Sequence, residues 1–211
     1  MMPNRQTVLQ RRPDPDRDYR RFPYRTVKTG SRWYRQHDKT LGPWWFSSSM
    51  QGRFDLPAPN GTCYLASTRE SATRERIGPH IAATGQVAIS VLQDRVVSTL
   101  ALPEDVRAAN LDSDRAAGHY GVTAELGVMT PCGVTQAWAL ALHTASFGGV
   151  LGRLRFTLSR QYGLAFFGGA GPRPRWGTDS DPEPLVDVAR RMGISIVRPP
   201  DDDQVTVVGP S

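Results

Sequence analysis

Gly52-Arg53-Phe54-Asp55, the run Thr62-Cys63-Tyr64-Leu65-Ala66-Ser67 and then Glu75 form the stretch from which the rest of this chain can be read. Asn60-Gly61 is a strong turn signal just ahead of the run, whose small and apolar residues suit a buried strand. Ser67 stands three residues before Glu70 in a capping-box spacing, which predicts a helix closed by Gly78-Pro79 after two or three turns. In that helix Ala72 and Glu75 share a face at i, i+3, with Glu75 close to the helix end. Arg53, Tyr64 and Glu75 thus put a cation, an aromatic and a carboxylate on a turn, a strand and a helix in succession.

Working outward, Ser31-Arg32-Trp33-Tyr34-Arg35 reads as a short aromatic strand, and Gly42-Pro43 with Ser47 to Ser49 marks a long loop leading into Gly52. Gln86 to Val91 and Arg95 to Leu100 are β-branched and predict two strands. Pro103, Gly118, Gly121, Gly127 and Pro131 interrupt every pattern between 103 and 132, so no element is assigned there. Thr135 to Thr144, rich in Ala and Leu with Gly148-Gly149 beyond it, predicts the best helix of the chain. Val150 to Phe156 and Leu164 to Phe167 read as paired core strands. A helix over about 183–192 and a hairpin of Ile194 to Val197 with Val205 to Val208 around Asp201 to Asp203 close the sequence. The mixture is an α+β domain.

The length of 211 residues fits one domain able to bury a core without disulfides, and 17 Pro with 20 Gly predict many turns. The net charge of +6 is local: residues 1–28 hold eight basic residues against three acids, leaving +1 for the remainder. That segment lacks hydrophobic periodicity and carries Pro3, Pro13 and Pro15, so it reads as a solvated, flexible extension over 1–29, with the folded domain over 30–211. Nucleic acid is expected to be bound only indirectly or through that basic tail. Cys63 and Cys132 form no C-x-x-C pattern, and His37, His80, His119 and His143 have no ligand spacing, so neither a metal nor a disulfide framework is indicated. No stretch approaches the roughly 18 apolar residues a membrane helix needs, and the cytoplasm is the expected setting.

With these residues laid out, the chain resembles the RES-domain family, NAD-degrading toxins of toxin–antitoxin pairs whose fold is related to ADP-ribosyltransferases. The resemblance is carried by Arg35, by Gly52 to Asp55, by Cys63 to Ser67 leading to Glu75, by Thr135-Gln136-Ala137-Trp138-Ala139 and by Phe147-Gly148-Gly149-Val150, over roughly residues 30–171. It implies one domain with an ADP-ribosyltransferase-like split β-sheet flanked by short helices. It implies NAD as substrate rather than cofactor, cleaved at its nicotinamide–ribose bond with inorganic phosphate or water as acceptor. It also implies an antitoxin protein as partner. Arg35 and Arg53 match the family's anion-binding arginines, Tyr64 is assigned to packing on the nicotinamide or ribose, and Glu75 to the developing cation. Arg53 and Glu75 are thus the expected catalytic pair, and Arg35, Arg53, Tyr64 and Arg153 the substrate-binding set. One position departs from the pattern: where the family carries its serine this chain has Leu154, so an inactive nucleotide- or protein-binding module is the alternative. Residue by residue the plainer readings stay open. An isolated arginine is commonly an ion-pair partner, Tyr64 suits a core aromatic with its hydroxyl satisfied, and Glu75 suits a solvated helix position.

Overall fold

The computed structural model describes residues 10–157, 161–178 and 181–198. The chain runs β1 (Tyr24–Val27), β2 (Arg32–Asp38), β3 (Trp45–Phe46), β4 (Asn60–Ala66), α1 (Arg69–Thr84), β5 (Val87–Ala88), α2 (Ile89–Leu92), β6 (Arg95–Ala101) and β7 (Val106–Asn110). It continues through α3 (Asp114–Tyr120), α4 (Gly133–Thr144), β8 (Gly149–Arg153), β9 (Tyr162–Gly169), β10 (Gly171–Pro172), β11 (Glu183–Pro184), α5 (Leu185–Arg191) and β12 (Ile196–Val197). Eight strands form one mixed sheet in the order β1-β7-β8-β9-β4-β2-β6-β11. β7 and β8 are parallel, and the other neighbours are antiparallel.

The sheet is buried on both faces, which is why its central strands read as nearly continuous apolar runs. Cys63, Leu65, Leu164 and Phe166 point to one face, where they cluster with Trp33 of β2 and with Trp44 and Phe46. Ala165 and Phe167 point to the other, under Trp138, Ala139 and Leu142 of α4. A third cluster seats α1 and α5 against β6 through Ile77, Val97, Leu185 and Val188. Alternation along the strands assigns each residue to its layer.

Between β4 and β2 the register is one pair, Tyr34 with Ala66, whereas β4 and β9 are paired continuously from Asn60↔Gly169 to Ala66↔Gly163. The sheet therefore splits at this junction, as the split-sheet expectation held. The gap opens beneath α1, the helix that follows β4.

Several boundaries differ from those predicted. The N-cap of α1 is Thr68, whose side chain accepts from Ser71 N–H, and the helix passes through Pro79 to end at Gly85 (φ 72°). Ser67 is unavailable as the cap because its hydroxyl accepts from Tyr162 N–H (3.1 Å) and bonds Gln161 (2.7 Å). Gly78, the residue before Pro79, has no Cβ to clash with the proline ring in helical geometry, which removes one of the costs of a proline inside the helix. Glu75 consequently lies in mid-helix. Ile89–Leu92 turns as a helix instead of extending the expected strand. Ile196–Val197 pairs in parallel with β5, so this strand joins another partner than the one expected of it, and Val205 to Val208 with Asp201 to Asp203 lie outside the described residues.

The boundary at residue 30 is also corrected. From Gln10 onward the basic segment packs into the domain: Tyr19 and Phe22 are buried in the α4 cluster. Arg11 accepts a hydrogen bond from Trp138 Nε1 (2.9 Å), and β1 pairs with β7. Two aromatics spaced among arginines and prolines give no periodic signal, yet each buries a large apolar surface. Phe22→Ala is expected to destabilise the domain by about 3–5 kcal/mol, the range for emptying a buried phenylalanine site. A urea denaturation series reads this directly, and an unchanged midpoint would show that the segment is only loosely docked.

Candidate active site

The loop ahead of β4 is organised by a buried carboxylate. Asp55, 1% exposed, accepts from Tyr64 Oη at Oδ1 (2.8 Å), and at Oδ2 from Gly52 N–H (3.0 Å) and Ser49 Oγ (3.2 Å). Tyr64 Oη in turn accepts from Phe54 N–H (2.9 Å), and Thr62 Oγ1 donates to Phe54 O (2.8 Å). The Gly52–Asp55 turn is thereby pinned to β4, the strand that carries both Thr62 and Tyr64. A Cβ at Gly52 would sit 2.4 Å from both Asp55 Oδ1 and Tyr64 Oη, so no larger residue fits there. From the other side Gln136 of α4 donates to Gly52 O (3.0 Å) and Met50 O (2.8 Å).

This clamp projects Arg53 toward α1. Arg53 Nη2 pairs with Glu75 Oε2 at 2.9 Å, and the two side chains are only 20% and 21% exposed. Glu75 Oε1 accepts from Phe156 N–H (2.8 Å), so both carboxylate oxygens are held. Phe156 lies against Gly78, where a Cβ would come within 2.1 Å of its ring. Gly78 thus lets the β8–β9 connection close onto Glu75.

Arg53, Tyr64 and Glu75 border one cavity of about 490 Å³ at the split of the sheet, within the size range of small-molecule sites. Five arginines border it (Arg35, Arg53, Arg76, Arg153, Arg155) against one carboxylate, Glu75, which gives it a positive field suited to an anionic ligand. Burial, and next the charge of Asp55, push the Tyr64 phenol well above its ordinary 10. Tyr64 therefore stays protonated at physiological pH and acts as a donor and a packing surface, not as a base. Among the described residues no cluster of His, Cys, Asp and Glu is placed to hold a metal ion, and no helix is long and apolar enough to cross a membrane.

The remaining predicted residues are placed less uniformly. Arg35 borders the cavity, but its Nη1 donates to Pro43 O and Trp45 O, both at 2.7 Å, and lies against Cys63 Sγ. Those partners belong to the face of the sheet away from Tyr64, so the guanidinium is turned from Glu75 and ties the 43–45 loop to the sheet. His37 lies on the same side of β2. Its Nδ1 faces Asp38 O (2.8 Å) and carries the proton, so Nε2 accepts from Ser98 Oγ (2.9 Å), and burial lowers its pKa. Arg153 is 74% exposed at the rim, with Nε 3.5 Å from Asp112. Leu154 forms part of the cavity wall and lies over Gly163, where a Cβ would come within 2.5 Å of Leu154 Cδ2. Leu154, the residue expected at the family's serine position, therefore presents an apolar wall to the cavity. Asp55, Gln136 and Arg76 were given no role at the site from sequence. The signals were present: Asp55 ends the Gly-Arg-Phe-Asp turn, and Arg76 follows Ala72 at i, i+4.

A split mixed sheet with a basic cavity and a carboxylate in its gap defines the class of protein. The RES domain family model matches residues 13–185, and the chain belongs to that family. The match begins inside the basic segment, in agreement with its packing. The fold is similar to that of a chain in the crystal structure of the M. tuberculosis MbcT–MbcA toxin–antitoxin complex. The TM-score is 0.59 at 17% identity, covering 78% of this chain and 90% of that one. No curated protein sequence matches the chain.

Tyr64→Phe would leave the buried Asp55 Oδ1 without its donor and Phe54 N–H without its acceptor. The expected cost is about 1–3 kcal/mol of stability. Chemical denaturation of the two proteins measures it, and equal stabilities would mean that water replaces the phenol freely.

Proposed function

We propose that this protein is an NAD-consuming enzyme that cleaves the nicotinamide–ribose N-glycosidic bond and is the toxin of a toxin–antitoxin pair. The observation that carries the reading is Glu75, held by Arg53 and Phe156 N–H at the wall of an arginine-rich cavity that Tyr64 also borders. Breaking the C1′–N1 bond sends its electron pair to the pyridinium nitrogen and leaves an oxocarbenium cation on the ribose. A carboxylate fixed before the reaction stabilises that cation without reorganising, and this is the kind of interaction that accelerates a step. An oxygen of inorganic phosphate or of water then bonds to C1′, water losing its proton. Arginines hold the pyrophosphate, whose oxygens match a guanidinium fork. NAD enters as substrate, not as a resident cofactor. Membership of the RES family and the likeness to a chain from a toxin–antitoxin complex support a protein antitoxin as partner, and the reading implies a cytoplasmic setting.

One observation favours a second reading, a nucleotide- or protein-binding module without turnover. Leu154 puts an apolar wall where the family serine is expected, and the Arg53–Glu75 pair is closed on itself. The deciding experiment is nicotinamide release from NAD by purified protein, with and without inorganic phosphate. Release in either condition supports the enzyme, and the phosphate dependence identifies the acceptor. Binding of NAD without release in both conditions would establish the second reading.

Glu75→Gln is expected to lower kcat about 100- to 1,000-fold with little change in the affinity for NAD, because its charge acts chiefly in the transition state. Steady-state kinetics and a binding titration check this together, and wild-type turnover would remove Glu75 from the mechanism. Arg53→Ala is expected chiefly to weaken NAD binding, raising KM about tenfold or more through loss of a charge-assisted hydrogen bond. An unchanged KM in the same kinetics would leave Arg53 with a positioning role toward Glu75 alone.

A further inference from the structure

Four of the five arginines that border the cavity are already engaged. Arg35 donates to backbone carbonyls, Arg53 pairs with Glu75, Arg153 leans on Asp112, and Arg155 lies over the Phe156 ring, 5.1 Å from its centroid. Arg76 differs from all of them. Its Nε is buried with no hydrogen-bond partner, and among the described residues no carboxylate lies within ion-pair distance of its guanidinium. The charge that acts on it is Arg95, of the same sign, and burial together with that charge lowers its pKa. Arg53 Nε is likewise buried without a partner, although Arg53 Nη2 is paired. Ala72, one helical turn before Arg76, also borders the cavity, so a small side chain leaves room beside the guanidinium.

A buried guanidinium N–H with no acceptor and a like charge as its neighbour is costly to the fold. An oxyanion entering the cavity would offset that cost, and the neutralised Arg53–Glu75 pair beside it would not compete for the ligand. We infer that Arg76 binds a phosphoryl oxyanion in this cavity, as the principal free cation of a site whose second donor is Arg53 Nε. The site is defined by its own geometry, and only the assignment of the oxyanion to a dinucleotide or to its acceptor rests on the NAD reading. A planar guanidinium with an unused Nε–H is suited to a tetrahedral phosphoryl group. In this arrangement Arg76 binds and orients, while Glu75, its neighbour on α1, faces the reacting carbon.

The test is calorimetric titration of the full chain and of Arg76→Gln and Arg76→Lys. The probes are inorganic pyrophosphate, inorganic phosphate, ADP-ribose and nicotinamide riboside, which lacks phosphate. Pyrophosphate and ADP-ribose are expected to bind the wild type and to bind Arg76→Gln at least tenfold more weakly, with nicotinamide riboside unaffected. Weakened inorganic phosphate binding, with loss of phosphate-dependent nicotinamide release, assigns the site to the acceptor. A raised KM for NAD with unchanged phosphate binding assigns it to the pyrophosphate, and both results support the proposal. Loss of pyrophosphate binding in Arg76→Gln when even the wild type releases no nicotinamide keeps the anion site and removes the NAD chemistry. Equal pyrophosphate affinity in wild type and Arg76→Gln, or no binding of any phosphate by the wild type, overturns the proposal. Should Arg76→Gln melt at a markedly lower temperature, Arg76→Lys keeps the charge but loses the fork. Its pyrophosphate affinity falls if the proposal holds and is unchanged if it fails.

Discussion

The hydrogen bond from Tyr64 to the buried Asp55 carboxylate is the interaction on which the rest of the site depends. A carboxylate removed from water must be met by donors, and here they come from Tyr64, Gly52 N–H and Ser49, two of them in the loop itself and one in the strand beneath it. Satisfying Asp55 therefore fixes where the turn lies on β4. Once the turn is fixed, Arg53 has one direction in which to extend, and Glu75 lies along it. Hydrogen bonds tie the loop to β4 and to α4, which is what a binding loop needs if its ligand is to find the groups already in place.

The second constraint is the splitting of the sheet. Had β2 and β4 paired along their whole lengths, the gap beneath α1 would be filled by a ladder and no cavity would exist. The single pair Tyr34↔Ala66 keeps the two halves joined while letting them diverge. Helix α1 spans the opening, and its passage through Gly78 and Pro79 allows Phe156 to close against it and donate to Glu75. Fold and site thus share causes: the glycines that admit close approach, Gly52 and Gly78, lie near Arg53 and Glu75, the pair at the cavity wall.

Much of this was legible in advance because it rests on local signals. The β4 strand, the α4 helix and the β8–β9 pair follow from apolar runs bounded by turn residues. The meeting of Arg53, Tyr64 and Glu75 at one cavity was anticipated from their order. Other features depend on distant partners and gave no local sign. Phe22 and Tyr19 look like parts of a polar tail until α4 covers them. Gly78-Pro79 looks like a helix end until the length of α1 is seen against its packing on β6 and α5. Arg35 looks like a cavity cation, and only the arrival of the 43–45 loop on the far face of the sheet shows where its hydrogen bonds go.

The sequence by itself determined which residues could carry chemistry and on which elements they stand, because side-chain type and local periodicity are properties of neighbouring residues. It also determined the α+β class and the absence of any metal-ligand spacing in its cysteines and histidines. The tertiary structure alone decided which arginines are spent and which is free. Arg35, Arg53, Arg76, Arg153 and Arg155 are alike in sequence, and their roles diverge according to whether a carbonyl, a carboxylate, a ring or, for Arg76 Nε among the described residues, no acceptor lies opposite the guanidinium. That distinction comes from contacts between residues far apart in the chain, where burial makes an unpaired charge costly and so marks it as a place for a ligand.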